Sequence, residues 1–63
     1  MSREVPVQAK HLQVGDTLVT RHQPGTVVAI DGPDHIGTYD VFVQDNLGNR
    51  HMEIITDVVT IIM

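Results

Sequence analysis

Apolar and polar residues alternate most regularly in the second half of the chain. Over residues 39–44, the alternation places Tyr39, Val41 and Val43 on one face of an extended segment. A stretch rich in Asp, Asn and Gly follows, and residues 50–55 then return toward the first segment. The pattern predicts an antiparallel β-hairpin with one buried face.

The register of this hairpin depends on the length of its loop. A four-residue loop over 46–49, with its glycine in the left-handed conformation, pairs Val43 with Met52 and Val41 with Ile54. A register shifted by one residue sets Val41 against a glutamate instead. Because burial favours apolar partners, we expect the first register.

Shorter segments make up the rest of the chain, separated by Gly, Pro, Asn and Asp. Pro6 cannot donate a hydrogen bond to a β-ladder, so its segment is an edge strand or an extended lead-in. The predicted elements, in order, are this segment at 5–9, one helical turn at 9–12, a strand at 17–20, a turn at 21–25, a strand at 27–30, an exposed loop at 31–37, the hairpin strands at 39–44 and 50–55, and a closing strand at 58–63. Five short strands joined by such turns predict a small all-β barrel or sandwich that forms one domain over residues 1–63.

The expected core is small. Alternation and register predict that the mostly buried residues are Leu12, Val14, Leu18, Val27, Ala29, Val41, Val43, Met52 and Ile54. A chain of this length buries only about 60% of the surface that its unfolded form exposes, so its core stabilises it by a few kcal/mol. Because the chain has no cysteine, disulfides and thiolate metal sites are excluded, and self-association is the remaining means of stabilisation.

One series of motifs resembles a known family. The pattern L-x-V-G-D-x-L from Leu12, then P-G-T-V-V-x-I from Pro24, then the hairpin and the closing strand, is similar to SH3-like barrels of the KOW and Tudor types. The resemblance covers about residues 12–63 and implies a five-stranded SH3-like barrel. KOW-type domains often bind RNA or the surfaces of ribosomes and polymerases, and Tudor-type barrels hold methylated side chains in an aromatic cage. The two aromatic residues here, Tyr39 and Phe42, fall on opposite faces of one strand and cannot form such a cage.

Charge and hydropathy narrow the classes of partner. The formal net charge is −4, and the four basic residues, Arg3, Lys10, Arg21 and Arg50, form no cluster in the sequence. Nucleic-acid backbone requires clustered Lys and Arg, so nucleic acid is the less favoured partner. No apolar run approaches the ~20 residues that span a bilayer, and the N-terminal residues lack a signal-peptide core. We therefore expect no membrane association and a cytoplasmic location.

Candidate chemistry is sparse. The four histidines fall on different elements, and the nearest combination of metal ligands is Asp31, Asp34 and His35 in the 31–37 loop. Asp is also common in turns because its side chain caps backbone N–H groups, and that role explains the loop with fewer assumptions. Ser2 is the only serine, no cysteine is present, and a small barrel fills with its own side chains. The sequence predicts no enzyme activity and no cofactor.

The strongest functional feature is apolar surface. With Val41 and Val43 facing the core, Phe42 faces outward, and the expected register puts Ile55 on the same outer face. The closing strand is apolar on both faces, which indicates contact with further protein. The predicted interface residues are Phe42, Ile55, Val58, Thr60, Ile62 and Met63, and the residues of a candidate partner-contact loop are Asp31, Asp34 and His35.

These observations lead to one expected function and one alternative. We expect a non-enzymatic protein-binding or assembly module that self-associates, by default as a dimer, since two-fold dimers are the commonest closed assembly. By analogy alone, a small acidic barrel of this kind is typical of phage or mobile-element accessory proteins. The alternative is a KOW-type module associated with nucleic acid.

Overall fold

The described part of the chain folds into six short strands. The computed structural model describes residues 3–21 and 23–63, so the single serine, Ser2, and one of the four histidines, His22, lie outside the described residues. The elements are β1 (Glu4–Gln8), one turn of 3-10 helix (Ala9–His11), β2 (Thr17–Leu18), β3 (Gly25–Asp31), β4 (Tyr39–Gln44), β5 (Arg50–Ile55) and β6 (Val58–Ile62). The predicted all-β class and the short helical turn are confirmed.

All six strands form one antiparallel sheet that curls into a half-barrel. The strand order is β1-β6-β2-β3-β4-β5, so β6 returns to pair with β2 and carries β1 on its other side. The structure therefore has six strands where five were predicted, because the segment around Pro6 is a full strand. That strand lies at an edge of the sheet, as the proline requires.

Among the residues that the structure describes, one cluster of eight apolar residues forms the core. Its members are Ala9, Leu12, Leu18, Val27, Val41, Val43, Ile55 and Ile61. The predicted burial of Leu12, Leu18, Val27, Val41 and Val43 is confirmed. All members of the cluster are aliphatic, and the partly buried Tyr39 packs against it.

The predicted register of the β4–β5 hairpin is wrong by one residue. Val43 lies opposite His51 and Val41 lies opposite Glu53. The reason is the loop: the Asp45 N–H donates to the Asn49 carbonyl over 2.9 Å, which leaves only residues 46–48 to form the loop.

The shorter loop has its own hydrogen bonds. The Asp45 carboxylate accepts hydrogen bonds from the N–H groups of Leu47 and Asn49, each at 2.9 Å. Gly48 has φ +87°, which confirms its predicted left-handed conformation. This is the three-residue type of hairpin loop, in which a type I turn is followed by a left-handed residue.

The shift of register exchanges the two faces of β5. Met52 and Ile54 are exposed, so their predicted burial is wrong, and Ile55 is buried instead. A one-residue slip has this effect on every side chain because successive residues of a strand point to opposite faces.

Two further core predictions are wrong for local reasons. The pairing of β3 with β4 is irregular between Val27 and Ala29, and this bulge places Ala29 on the exposed face opposite Phe42. Val14 is exposed because it lies in a turn between Gln13 and Asp16. That turn is closed by a hydrogen bond from the Gln13 N–H to the Asp16 carboxylate (2.9 Å) and one from the Asp16 N–H to the Gln13 carbonyl (3.1 Å).

Close packing explains the glycine at the start of β3. A Cβ atom at Gly25 would lie 2.6 Å from Cγ1 of Val43 and 3.2 Å from the carbonyl oxygen of Gln44. Any side chain here would push β3 away from β4. The glycine thus allows the two strands to approach over the centre of the core.

Candidate binding groove beside strand β5

The half-barrel leaves an open groove beside β5. Among the described residues, β5 pairs with β4 alone, and no strand continues the sheet on its other side. Between this edge and the strands β2 and β6 lies an open space of about 620 Å³, which we call the β5 groove. Its lining residues are Leu18, Val19, Arg21, residues 52–55, and residues 58–60.

The walls of the groove differ in chemistry. Met52 and Ile54 bring apolar side chains from the exposed face of β5, while Val58 brings one from β6. Glu53 and Arg21 add one charge of each sign. A groove of this composition suits a polypeptide segment, because apolar contacts and a few charged groups can both be matched by side chains.

The two polar residues of β5 that face inward, His51 and Glu53, have neighbouring side chains on the same face of the strand. His51 Nε2 is 3.8 Å from Glu53 Oε2, and the two side chains are 31% and 29% exposed. They follow the strand alternation, two residues apart on the same face. The pair therefore places a carboxylate and an imidazole at the free edge of the sheet.

Half of the predicted interface residues meet at this groove. Ile55, Val58 and Thr60 all contribute to its lining. Ile55 does so from a buried position, 7% exposed, so its predicted place on the exposed outer face is wrong. Val58 is 54% exposed.

The other predicted interface residues lie elsewhere. Phe42 is on the exposed face of β4, as predicted, and sits opposite Met52. Ile62 is half-buried within β6, which lies between β1 and β2. Met63 is 68% exposed, and its backbone exchanges two hydrogen bonds with Arg3, at 2.9 and 3.1 Å.

Sequence reasoning missed an apolar patch on the outer face of the sheet. Phe42, Met52 and Ile54 are 39%, 45% and 67% exposed, and Ala29 lies opposite Phe42; we call these four residues the outer patch. Three of them, Ala29, Met52 and Ile54, were predicted to lie in the core. The segment Asp45 to Asn49 could have revealed the patch, since Asp at its start and Gly at its fourth position favour a three-residue loop.

The 31–37 loop is exposed throughout, as predicted. The Asp34 carboxylate accepts hydrogen bonds from the N–H groups of Ile36 (3.0 Å) and Thr38 (2.9 Å), and the Asp34 N–H donates to the Thr38 carbonyl (3.0 Å). Asp34 therefore holds a turn. Whether the loop is mobile stays a prediction.

The two other residues of the candidate contact loop do not join Asp34 in a site. Asp31 lies opposite Asp40 at the end of the β3–β4 ladder, and His35 is exposed. In residues 3–21 and 23–63, no three His, Cys, Asp or Glu side chains are grouped so that they could hold a metal ion.

Comparison with models of protein families, with curated proteins and with solved structures found no significant match to this chain. Within the described part of the chain, no helix has the length and apolar character needed to cross a membrane. The groove, the outer patch and the free edge of β5 are the structural features that bear on function.

Proposed function

We propose that this chain is a non-enzymatic protein-binding or assembly module that self-associates through the side of the sheet formed by β5. One observation carries the proposal: β5 combines an unpaired edge with exposed Met52 and Ile54 and with the β5 groove. Unpaired edges recruit other strands, and exposed apolar patches mark interaction sites.

An SH3-like organisation is part of this proposal. The strand β2 directly follows Gly15-Asp16, and β6, the last strand, pairs with it. This pairing joins the two ends of the segment that resembles SH3-like barrels, as closure of a barrel requires. In this interpretation β1 is an additional strand on the outer side of β6.

Self-association fits the size of the core. Eight buried apolar residues without a disulfide stabilise a fold only marginally. Burying exposed apolar surface stabilises a complex by about 25 cal/mol per Å². The gross stabilisation from an interface that buries several hundred Å² of apolar surface is therefore comparable to the net stabilisation from the core. A partner strand along β5 would also satisfy its outward backbone groups.

The alternative, a KOW-type nucleic-acid module, has less support. The described basic residues are spread along the fold: Arg3 precedes β1, Lys10 is in the 3-10 turn, Arg21 follows β2 and Arg50 begins β5. Arg21 also lines the β5 groove together with the carboxylate of Glu53. Basic residues that are spread in this way would displace few counterions from a nucleic-acid backbone, so the electrostatic contribution to binding would be weak.

Sedimentation equilibrium over a range of concentrations tests the proposal. We expect a mass near twice the 7.0 kDa of one chain, and we expect Ile54→Ser to reduce the association. Leu47→Ser is the matched control, since Leu47 is 73% exposed and Ile54 67%, but Leu47 lies at the hairpin loop and outside the groove. A monomeric wild type at all concentrations would exclude self-association.

A second arm of the experiment addresses the alternative. The same samples are mixed with a labelled single-stranded RNA at low and moderate salt. Retention of the RNA that declines steeply with salt would favour the KOW-type function, whereas no retention supports the protein-binding function.

A further inference from the structure

The two edges of the sheet are protected to different degrees. β1 carries Pro6 at its centre, and proline offers no N–H to an incoming strand. β5 has six residues, no proline and no lysine. An incoming strand therefore meets a continuous row of backbone donors and acceptors at β5 alone.

The hairpin register determines which backbone groups of β5 point outward. Asp45 and Asn49 form a hydrogen-bonded pair next to the loop. In an antiparallel ladder hydrogen-bonded pairs alternate with non-bonded pairs, so the odd-numbered residues of β5 direct their backbone groups to β4. The backbone groups of Arg50, Met52 and Ile54 consequently face the free side.

Charge then selects one symmetric register for two copies of this strand. Centring an antiparallel pair on Met52 sets His51 of each copy opposite Glu53 of the other, on the same inner face. Centring it on Glu53 sets the two glutamates directly against each other, which is destabilising. Centring it on His51 or Ile54 gives no pairing of His51 with Glu53.

We propose that the partner at β5 is a second copy of this chain, and that the two β5 strands pair antiparallel about a two-fold axis at Met52. This inference rests on the proposed function and specifies its interface. It places Met52 of both copies side by side and joins the two outer patches through that contact. It also closes the edge by a symmetric contact, which does not propagate into filaments.

Disulfide trapping tests the register, because the chain has no cysteine of its own. In a hydrogen-bonded antiparallel pair, directly opposite Cα atoms are about 5.5 Å apart, within the range for a disulfide. We expect Met52→Cys to form a covalent dimer under mild oxidation. In the same register the two Ile54 positions are four residues apart along the strands, about 13 Å, so Ile54→Cys should not cross-link.

The outcomes separate this inference from the proposed function. Cross-linking of Ile54→Cys as readily as Met52→Cys would contradict the register. A wild type that is dimeric in solution, with neither variant cross-linking, would leave self-association intact and place the interface elsewhere. A monomeric wild type would contradict both proposals.

A charge exchange gives an independent test of the same register. His51→Glu sets two carboxylates opposite each other at both ends of the pair, and we expect it to raise the dimer dissociation constant about tenfold. Adding Glu53→Lys to the same chain sets opposite charges against each other and should recover the association. Failure of the second change to restore the dimer would contradict the pairing, provided that circular dichroism finds both variants folded.

Discussion

The two faces of the β4–β5 hairpin carry similar numbers of apolar side chains but have opposite environments. The inner face contributes Val41, Val43 and Ile55 to the core, whereas the outer face carries Phe42 and Met52 in partial exposure, together with Ile54. Apolar composition therefore does not identify the buried side of this hairpin. The three-residue loop decides it, because the loop determines which residues of β5 lie opposite the valines of β4.

Truncating one residue on each face should give the largest contrast. Val41→Ala removes methyl groups from a fully buried side chain and leaves a cavity, so we expect a loss of about 1–3 kcal/mol in the free energy of unfolding. Ile54→Ala truncates a side chain that is 67% exposed, and we expect a change within about 0.5 kcal/mol.

Urea denaturation measures both values, at a concentration where the association state of wild type and variants is the same. The register expected from the sequence makes the opposite prediction for Ile54, since it places that side chain in the core. A loss at Ile54 as large as the loss at Val41 would contradict the observed register.

Replacing the glycine of the hairpin loop should have an intermediate effect. Gly48 has φ +87° and open space around its Cβ position, so the cost of Gly48→Ala comes from backbone conformation alone. We expect a loss of about 1–2 kcal/mol, and a smaller loss for Gly48→Asn, because Asn tolerates the left-handed region better.

A matched glycine provides the control. Gly37 has φ +84°, open space at its Cβ position, and a turn with the same Asp-centred hydrogen bonds. The loss of stability for Gly37→Ala should equal that for Gly48→Ala. An unchanged thermal stability for Gly48→Ala would contradict the role of the left-handed loop residue in setting the register.

The smallest effect concerns charge on the outer face. Asp31 and Asp40 lie directly opposite each other on β3 and β4, and like charges in this arrangement destabilise a ladder. Asp31→Asn should raise the stability by about 0.2–1 kcal/mol at low salt. The gain should shrink as salt is added, because both residues are at the surface. A gain that is unchanged at high salt would indicate a cause other than repulsion.

Much of the fold was accessible from the sequence, because it depends on interactions between near neighbours. Alternation located β4 and β5, and Pro6 restricted its segment to an edge strand or an extended lead-in. The glycines and proline of residues 31–37 predicted an exposed loop. Each of these features follows from the conformational preference of a few adjacent residues.

The register, the bulge and the groove were decided only by the tertiary structure. Whether three or four residues form the hairpin loop changes the local geometry little, yet it moves Ile55 into the core and Met52 to the surface. The bulge after Val27 likewise moved Ala29 to the outer face. The groove exists because β6 returns to β2 and leaves one edge of β5 without a partner strand among the described residues, and this long-range pairing is not encoded in any local pattern.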